Sequence, residues 1–256
     1  MDNKLKIILF VFLLVSVGLV VSILSLQFFV PKQQVSILNS DSSKNLIQGT
    51  KMEEKVLNEN KDAVEQARAQ INNQIKPVSK DDNLFGPLSA KVQMIVYCDF
   101  ECPFCAEFFD TLRQVRNTYK DKASIAYRHF PLLTHNNALP AALAAECAAE
   151  QGKFWEMHDL LFADNKSNRL NSEQYKKDAK ELNLDVVKFS QCLETEKYKS
   201  KIEEEMLAGR NSGVTGTPTI FINNEIYPGA VPFEDFTESD GTKAEGMKSM
   251  IERMLK

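Results

Sequence analysis

A short apolar segment, a pair of cysteines and an amphipathic pattern follow one another within residues 91–120. The segment KVQMIVYCDF is apolar and contains several β-branched residues, which predicts a buried strand. Residues 103–120 repeat apolar side chains every three or four positions, which predicts a helix. Cys102 and Cys105 therefore stand where the strand passes into the helix. This order predicts an α/β domain that carries both cysteines at a helix N-terminus.

Beyond residue 120 the pattern predicts that this α/β domain contains a helical insertion. The segment that we assign to the insertion, 136–212, is mostly helical and rich in Ala, Lys and Glu. A strand pair is expected to turn at Asn223–Asn224, and a helix is expected to close the chain. The predicted strands are ASIAYRHF, TPTIFIN and EIYPG, and the predicted helices are ALPAALAAECAAEQGKFWEMHDLLF, residues 172–212 and AEGMKSMIERML.

The N-terminus carries an uncharged run, Ile7–Val30. A membrane-spanning helix needs about 20 apolar residues, and the large side chains that end this run are unlike a signal-peptide cleavage site. We therefore predict an uncleaved anchor at 1–30, with a cleaved signal peptide as the alternative. Lys4 and Lys6 precede the run, which favours a cytoplasmic N-terminus and sends residues 31–256 across the membrane.

Residues 31–83 are predicted to form a linker followed by a stalk. The linker, 31–50, is rich in Ser, Asn and Gln. A narrow apolar stripe over 51–76 predicts a helix that ends before Pro77. This helix either packs on its own domain, or forms a partly ordered stalk, or pairs with a second copy, because a two-in-seven apolar seam suits a partner helix. A homodimer through residues 51–76 is one of these alternatives.

The overall charge and composition exclude one class of partner. The formal net charge is −4 and the chain has no long basic stretch, so nucleic acid is not expected as a partner. Hydrophobic residues make up 43% of the chain, which is enough for the core of an ordinary soluble domain.

The spacing of Cys102 and Cys105 fits a disulfide that opens and closes. Pro103 suits the first turn of a helix, where a missing N–H costs nothing. The free amides and the dipole of that helix end favour a thiolate at Cys102, and the thiolate is the species that attacks a disulfide. The same stabilisation favours the reduced pair, raising its potential by about 30 mV per pKa unit. Cys105, one helical turn on, is expected to be more buried and to resolve the mixed disulfide.

Two other roles for the cysteine pair are less consistent with the sequence. Structural zinc needs four ligands, and the remaining cysteines and histidines offer no second tight pair, so no metal is expected. An inert structural disulfide would gain little from closing so short a loop. Redox chemistry at the cysteines themselves is favoured, and it requires no cofactor.

A second motif, GVTGTPT at residues 213–219, precedes the predicted strand TIFI. Its proline, Pro218, either ends a loop or forms a cis bond with Thr217, since X–Pro bonds are the only common cis peptide bonds. A cis bond would turn the backbone of Thr217 outward. An extended substrate strand would then be held there by main-chain hydrogen bonds.

The strand–CPFC–helix unit, the GTPT turn and the helical block between them resemble the DsbA-like branch of the thioredoxin fold. The resemblance covers residues 84–256 and includes the segments RHFPL, AAECAAEQGKFWEMHDLLF and FINNEIYPGA. It implies an α/β thioredoxin fold with an inserted helical domain, preceded here by an N-terminal transmembrane helix and a helical stalk. It also implies a thiol–disulfide oxidoreductase with Cys102 as nucleophile, Cys105 as resolving cysteine, and Thr217 and cis-Pro218 beside them.

One position departs from the family pattern. Relatives often carry a buried acid six residues before the nucleophile, thought to move protons to the resolving cysteine, and this chain has Val96 there. Asp99 or Glu101 could take its place, but we expect each of them to be an exposed surface carboxylate.

Three cysteines and three histidines lie outside the pair. Some relatives have a second disulfide in the insertion, so Cys147 and Cys192 are expected either to be bridged or to be two separate buried thiols. Cys98, within the first predicted strand, is expected to be a small core residue. Core or surface roles, rather than catalysis, are expected for the histidines, which are His129, His135 and His158.

Several functions share this chemistry. We favour a disulfide oxidase that donates its bridge to exported proteins with free thiols and is reoxidised by a quinone-linked membrane partner. Pro103 and the extracytoplasmic address motivate this choice, although Phe104 adds no charge or hydrogen-bond donor that would tune the thiolate. The first alternative is a disulfide isomerase or reductase, since Thr217 is a residue type also found in isomerases. The second is a membrane-tethered binding or chaperone module with an inactive pair.

The predicted location follows from the anchor and its orientation. We expect a single-pass protein of the inner or cytoplasmic membrane, with its C-terminal domain in the periplasm or extracytoplasmic space.

Overall fold

The computed structural model of the protein describes residues 75–256. The predicted anchor at 1–30 lies outside these residues, as do most of the predicted linker and stalk at 31–83 and nearly all of the possible dimerisation helix at 51–76. Within the described range, no helix is both long and apolar enough to span a membrane.

Five strands form one sheet at the centre of the described chain. They are β1 (Asn83–Phe85), β2 (Val92–Cys98), β3 (Ala123–His129), β4 (Thr219–Ile222) and β5 (Glu225–Pro228). Their order across the sheet is β1-β3-β2-β4-β5. The central strands β2 and β3 are parallel, and the other neighbouring pairs are antiparallel. Strands β2 to β5 confirm the strands predicted from the sequence.

The described residues also form seven helices. They are α1 (Pro103–Tyr119), α2 (Ala138–Ala149), α3 (Phe154–Lys166), α4 (Ser172–Glu181), α5 (Val186–Glu194), α6 (Lys199–Asn211) and α7 (Met247–Leu255). The first helix connects the parallel strands β2 and β3, as expected for a crossover. Helices α2 to α6 lie between β3 and β4, so the predicted helical insertion is present.

The two faces of β2 supply two separate parts of the core, because side chains alternate along a strand. Met94, Val96 and Cys98 are buried in the larger cluster, which contains the apolar faces of α1 and α7. Ile95 and Tyr97 face the opposite way and pack in the smaller cluster with residues of β3 and β4. The strand is therefore covered on both sides, and its C-terminal residue, Cys98, faces helix α1.

The helical insertion is joined within itself by a disulfide. Cys147 in α2 and Cys192 in α5 are bonded, and their side chains are 1% and 5% exposed. The alanine-rich face of α2 is fully buried among its neighbours, because small side chains permit close helix packing. The bridge and this packing make the insertion a compact block.

Three short strands were not recognised in the sequence. Strand β1 includes Asn83, a residue that the sequence analysis assigns to the linker, and a two-stranded sheet is formed by β6 (Phe236–Thr237) and β7 (Lys243–Ala244). Two or three residues are too few to show an alternating pattern. Gly86 directly follows β1 with φ +81°, and a Cβ on it would lie 2.4 Å from the Ala123 carbonyl oxygen, so this turn requires glycine.

A buried carboxylate ties the sheet to the insertion. Glu146 of α2 is 2% exposed and accepts hydrogen bonds from Asn83 Nδ2 at 2.6 Å and Lys201 Nζ at 2.7 Å. Its Oε1 also lies 2.9 Å from Nε2 of His129, at the end of β3. Although burial opposes ionisation, His129 and Lys201 lower the pKa of Glu146 to about 2. This one side chain therefore connects β1, β3, α2 and α6.

Candidate active site

Cys102 is the N-cap residue of α1 and lies just beyond the C-terminal end of β2, the middle strand of the sheet. Pro103 occupies the first turn of the helix and is exposed, as the sequence predicts. The Cys102 side chain is only 3% exposed. Its thiol donates a hydrogen bond to the backbone carbonyl of Thr217, with Sγ and the oxygen 3.3 Å apart.

The motif predicted to flank the pair lies directly against it. The Thr217–Pro218 peptide bond is cis, and the carbonyl of Pro218 accepts the amide of Gly229 at 2.8 Å. Strand β4 begins at the next residue, so the sheet fixes the position of Thr217. The Thr217 hydroxyl is buried and has no hydrogen-bond partner among the residues that the structure describes.

Cys105 lies behind Cys102, one turn along α1, and is completely buried. The backbone amide of Asp99 points toward its sulfur at 3.4 Å. The sulfur of Cys98 is 2.7 Å from the sulfur of Cys105. Cys98 is therefore buried in the core, as predicted, and it is also the third member of a thiol cluster.

The contact between Cys98 and Cys105 was missed in the sequence. The information that could have revealed it is the alternation along β2. That alternation puts Cys98 on the same face as Met94 and Val96, toward α1. Because β2 leads directly into the cysteine motif, a residue on that face at the strand end lies below the first turns of the helix.

The prediction that the helix end holds Cys102 as a thiolate is wrong for this arrangement. The hydrogen bond with Cys105, and then burial, raise the pKa of the Cys102 thiol far above its usual range. Burial likewise raises the pKa of Cys105 and of Cys98. Adjacent thiols titrate as a group, and a proton retained in the cluster is favoured over two neighbouring anions.

Removing Cys105 is expected to lower the pKa of Cys102. In the Cys105→Ala variant the sulfur with the largest effect on Cys102 is absent, while the amides at the start of α1 remain. Thiolate absorbance near 240 nm, or the rate of iodoacetamide alkylation against pH, measures the shift. Reduced wild-type protein is the reference, and an unchanged or higher midpoint in the variant would contradict this assignment of cause.

The two acidic residues of the motif are not the exposed carboxylates that the sequence analysis expected. Asp99 is 2% exposed; its Oδ2 accepts the amide of Leu132 at 2.9 Å and lies 2.7 Å from His135 Nδ1. Glu101 is half-buried and accepts both the amide and the side chain of Asn137, the N-cap of α2. Both carboxylates connect the cysteine segment to the start of the insertion.

The histidines have the non-catalytic environments that were expected. His129 and His158 are completely buried, the former beside Glu146 and the latter beside Asp159. His135 is partly exposed and paired with Asp99. None of these contacts, in the part of the chain described, is with a sulfur of the thiol cluster.

The insertion contributes one residue to the site that was not foreseen. The side-chain amide of Asn165, near the end of α3, donates to the backbone carbonyl of Cys102 at 3.3 Å. Because that carbonyl also accepts the first hydrogen bond of α1, from Ala106, Asn165 stabilises the start of the helix.

Two large apolar side chains in and near the cysteine segment are exposed. Phe104, between the cysteines, is 60% exposed, and Leu133, in the loop attached to Asp99, is 91% exposed. Exposed apolar side chains that lie together mark binding sites, whereas single ones are normal on a protein surface.

Together, the central sheet, the cysteine pair at a helix N-terminus, the cis-proline loop against it and the inserted helical block define a thioredoxin-fold protein of the DsbA-like type. The thioredoxin family model matches residues 78–239. The chain therefore belongs to the thioredoxin family. The predicted resemblance to DsbA-like proteins is confirmed.

Individual solved structures share this fold. The structure of α-DsbA1 from Wolbachia pipientis superposes with a TM-score of 0.55 at 25% identity, over 72% of this chain and 95% of that one. Oxidised BdbD from Bacillus subtilis superposes with a TM-score of 0.58 at 20% identity, over 71% and 96% of the two chains.

A curated protein described as an antiporter is also similar to part of the chain. The Na(+)/H(+) antiporter NhaA 3 of Salinispora tropica is 38% identical over 160 residues, which are 62% of this chain and 24% of that protein. The chain thus spans about a quarter of the length of the curated relatives that it matches first.

Proposed function

We propose that the protein is a disulfide oxidase that acts outside the cytoplasm through a reversible Cys102–Cys105 bridge. The observation that carries the proposal is the placement of the Cys102 sulfur 3.3 Å from the backbone of Thr217, with Cys105 directly behind it. A substrate strand lying along Thr217 and Pro218 would bring its own sulfur to Cys102.

The reaction consists of two exchanges. A substrate thiolate attacks the Cys102 sulfur of the bridge, the bond to Cys105 breaks, and Cys105 leaves as a thiolate that takes up a proton. A second substrate thiolate then attacks the substrate sulfur of the mixed disulfide and releases Cys102. The substrate loses two electrons and two protons, and the cysteine pair gains them.

The residues around the cysteine pair provide contacts for a substrate. The exposed ring of Phe104 and the side chain of Leu133 offer an apolar surface to an unfolded substrate. Pro103 has no backbone N–H, whereas another residue at this position would present one at the start of the helix, next to Cys102.

The extracytoplasmic location is supported by two independent features. The uncharged run Ile7–Val30 is long enough to anchor the chain. The Cys147–Cys192 bridge is of the kind that persists in oxidising compartments. Substrates would be exported proteins with free thiols, and a quinone-linked membrane partner would remove the two electrons gained in each cycle.

An isomerase or reductase is the second candidate, and one observation favours it. The pKa of Cys102 is raised, so the reduced pair receives no stabilisation from a thiolate at neutral pH. Without that stabilisation, the reduction potential of the pair is not raised to that of a strong oxidant. A homodimer through residues 51–76 would fit this candidate.

Thiol exchange is tested with the full-length protein in detergent micelles. The wild type should oxidise a reduced dithiol peptide and, with a reductant, reduce insulin, and Cys102→Ala should show only the uncatalysed rate. Cys105→Ala should accumulate a mixed disulfide with the peptide, because its resolving thiol is missing. Equal rates for wild type and Cys102→Ala would reject the enzymatic function and leave the binding or chaperone module.

The direction of exchange is tested by the reduction potential, measured by equilibration in glutathione buffers. An oxidase should lie far above thioredoxin's potential of about −270 mV, toward the value of about −120 mV for DsbA. A potential near that of thioredoxin would reject the oxidase in favour of the reductase.

A further inference from the structure

The thiol cluster contains one more sulfur than a two-cysteine exchange requires. Cys98 and Cys105 are 2% and 0% exposed, and their sulfurs are 2.7 Å apart. A disulfide bond is about 2.05 Å long, so little movement separates this contact from a bond. Cys98 lies at the end of β2, in the core cluster beneath α1.

Cys105 is the sulfur that the other two share. Cys102 approaches it from the side of Thr217, near the surface, and Cys98 approaches it from the core. The backbone amide of Asp99 also points at the Cys105 sulfur, at 3.4 Å, which orients it toward the end of β2. A buried thiol in contact with one sulfur of a disulfide is placed to attack that sulfur.

We propose that Cys98 is a third redox cysteine, which exchanges with the Cys102–Cys105 bridge to give an internal Cys98–Cys105 bridge. The Cys98 sulfur bonds to Cys105, the bond between Cys105 and Cys102 breaks, and Cys102 leaves as the thiolate. The proton lost by Cys98 is balanced by the one that Cys102 gains. The exchange neither consumes nor releases electrons, so it needs no external oxidant.

This inference, which rests on the proposed exchange function, changes what the oxidised protein can do. With Cys105 bonded to Cys98, the chain remains oxidised and Cys102 is a free thiol. Cys102 can then attack a disulfide of a substrate, and Cys105 cannot resolve the product. Only another thiol of the substrate can release it, which rearranges the substrate disulfide without net oxidation. Cys98 would thus add an isomerase mode to the same site.

The test identifies which sulfurs are bonded in the oxidised full-length protein. The protein is oxidised with diamide, desalted, incubated at pH 8 with iodoacetamide, then denatured in the same reagent and digested with trypsin and an endoproteinase that cleaves after glutamate. Cleavage after Glu101 separates Cys98 from Cys102 and Cys105. The internal bridge therefore gives two linked peptides with the alkyl group on Cys102, whereas the surface bridge gives one closed peptide.

We expect the linked peptides and the label on Cys102 to accumulate with time in the wild type. Cys98→Ser should lose both, and its closed Cys102–Cys105 peptide should remain. Cys102→Ser should form the Cys98–Cys105 bridge within the chain on mild oxidation. These two variants remain informative if the exchange in the wild type is slow.

Two results would overturn the inference, and they are distinguishable. If the wild type contains only the closed peptide with alkylated Cys98, and Cys102→Ser forms no internal bridge, Cys98 is not a redox partner and the proposed function is unaffected. If no bridge forms among these three cysteines, the proposed function fails as well.

Discussion

Replacing Glu146 with glutamine is expected to lower the free energy of unfolding by about 3 kcal/mol, the lower end of the range for breaking a buried ion pair. The carboxylate is almost completely buried and is bonded to Asn83, His129 and Lys201. Glutamine keeps the shape of glutamate, but its amide has one acceptor and one donor group. In the wild type the same partners face two carboxylate oxygens, both of which accept. Denaturant titration at pH 7 measures the loss.

The pH dependence gives an independent check on Glu146. The pKa of its carboxyl is lowered from 4.5 to about 2 in the folded protein. A lowered pKa stabilises the fold above the unfolded value, and this stabilisation disappears as the pH falls toward 2. The wild type should therefore lose stability between these values more steeply than Glu146→Gln.

Glu150, one turn further along the chain, provides the matched control. It forms an ion pair with Lys197 in which both side chains are largely exposed. Exposed pairs contribute little, so Glu150→Gln should remain close to the wild type. A loss at Glu146 no greater than the loss at Glu150 would show that the buried cluster is not a major source of stability.

Replacing both Cys147 and Cys192 with alanine should cost about 4 kcal/mol of stability, on the loop-closure account of disulfides. The bond joins positions 45 residues apart and restricts the unfolded chain accordingly. Thermal and denaturant unfolding of the double variant against the wild type, both without reductant, measure the loss. Exchange activity at a temperature where the variant is folded should persist, because neither residue contacts the thiol cluster in the described structure.

The single variants separate the bond from the side chains. If the cross-link itself is responsible, then Cys147→Ala, Cys192→Ala and the double variant should lose similar amounts, because the second substitution removes nothing further. Losses that add up would instead attribute the effect to packing. A double variant as stable as the wild type would contradict the role assigned to this bridge.

Much of the fold can be predicted from the sequence because single elements carry their own periodic signals. The continuous apolar run of β2 and the three-to-four spacing of α1 place the cysteine pair where the structure has it. The insertion is recognisable from its length and composition. Strand β1 has only three residues, and its role depends on the contact of Asn83 with Glu146, far away in the sequence.

The environment of the thiols was harder to predict, because it depends on contacts between elements. The local pattern predicts Cys102 as a single thiol facing a helix end, whereas the structure has three neighbouring sulfurs that compete for protons and are shielded from water. Asp99 and Glu101 were expected at the surface, because nothing in the local pattern shows that the loop before α2 folds over them.

The position of the Cys147–Cys192 bond has a consequence for the exchange proposed at Cys102 and Cys105. Under the proposed function, the protein attacks disulfide bonds in other proteins. Neighbouring copies of the same chain each contain such a bond. Nucleophilic attack requires a path along the axis of the bond. Both bridged cysteines are buried on helices of the insertion, whereas Cys102 adjoins the exposed Pro103 and Phe104. The Cys147–Cys192 bond is therefore protected from disulfide exchange with a second copy of the protein.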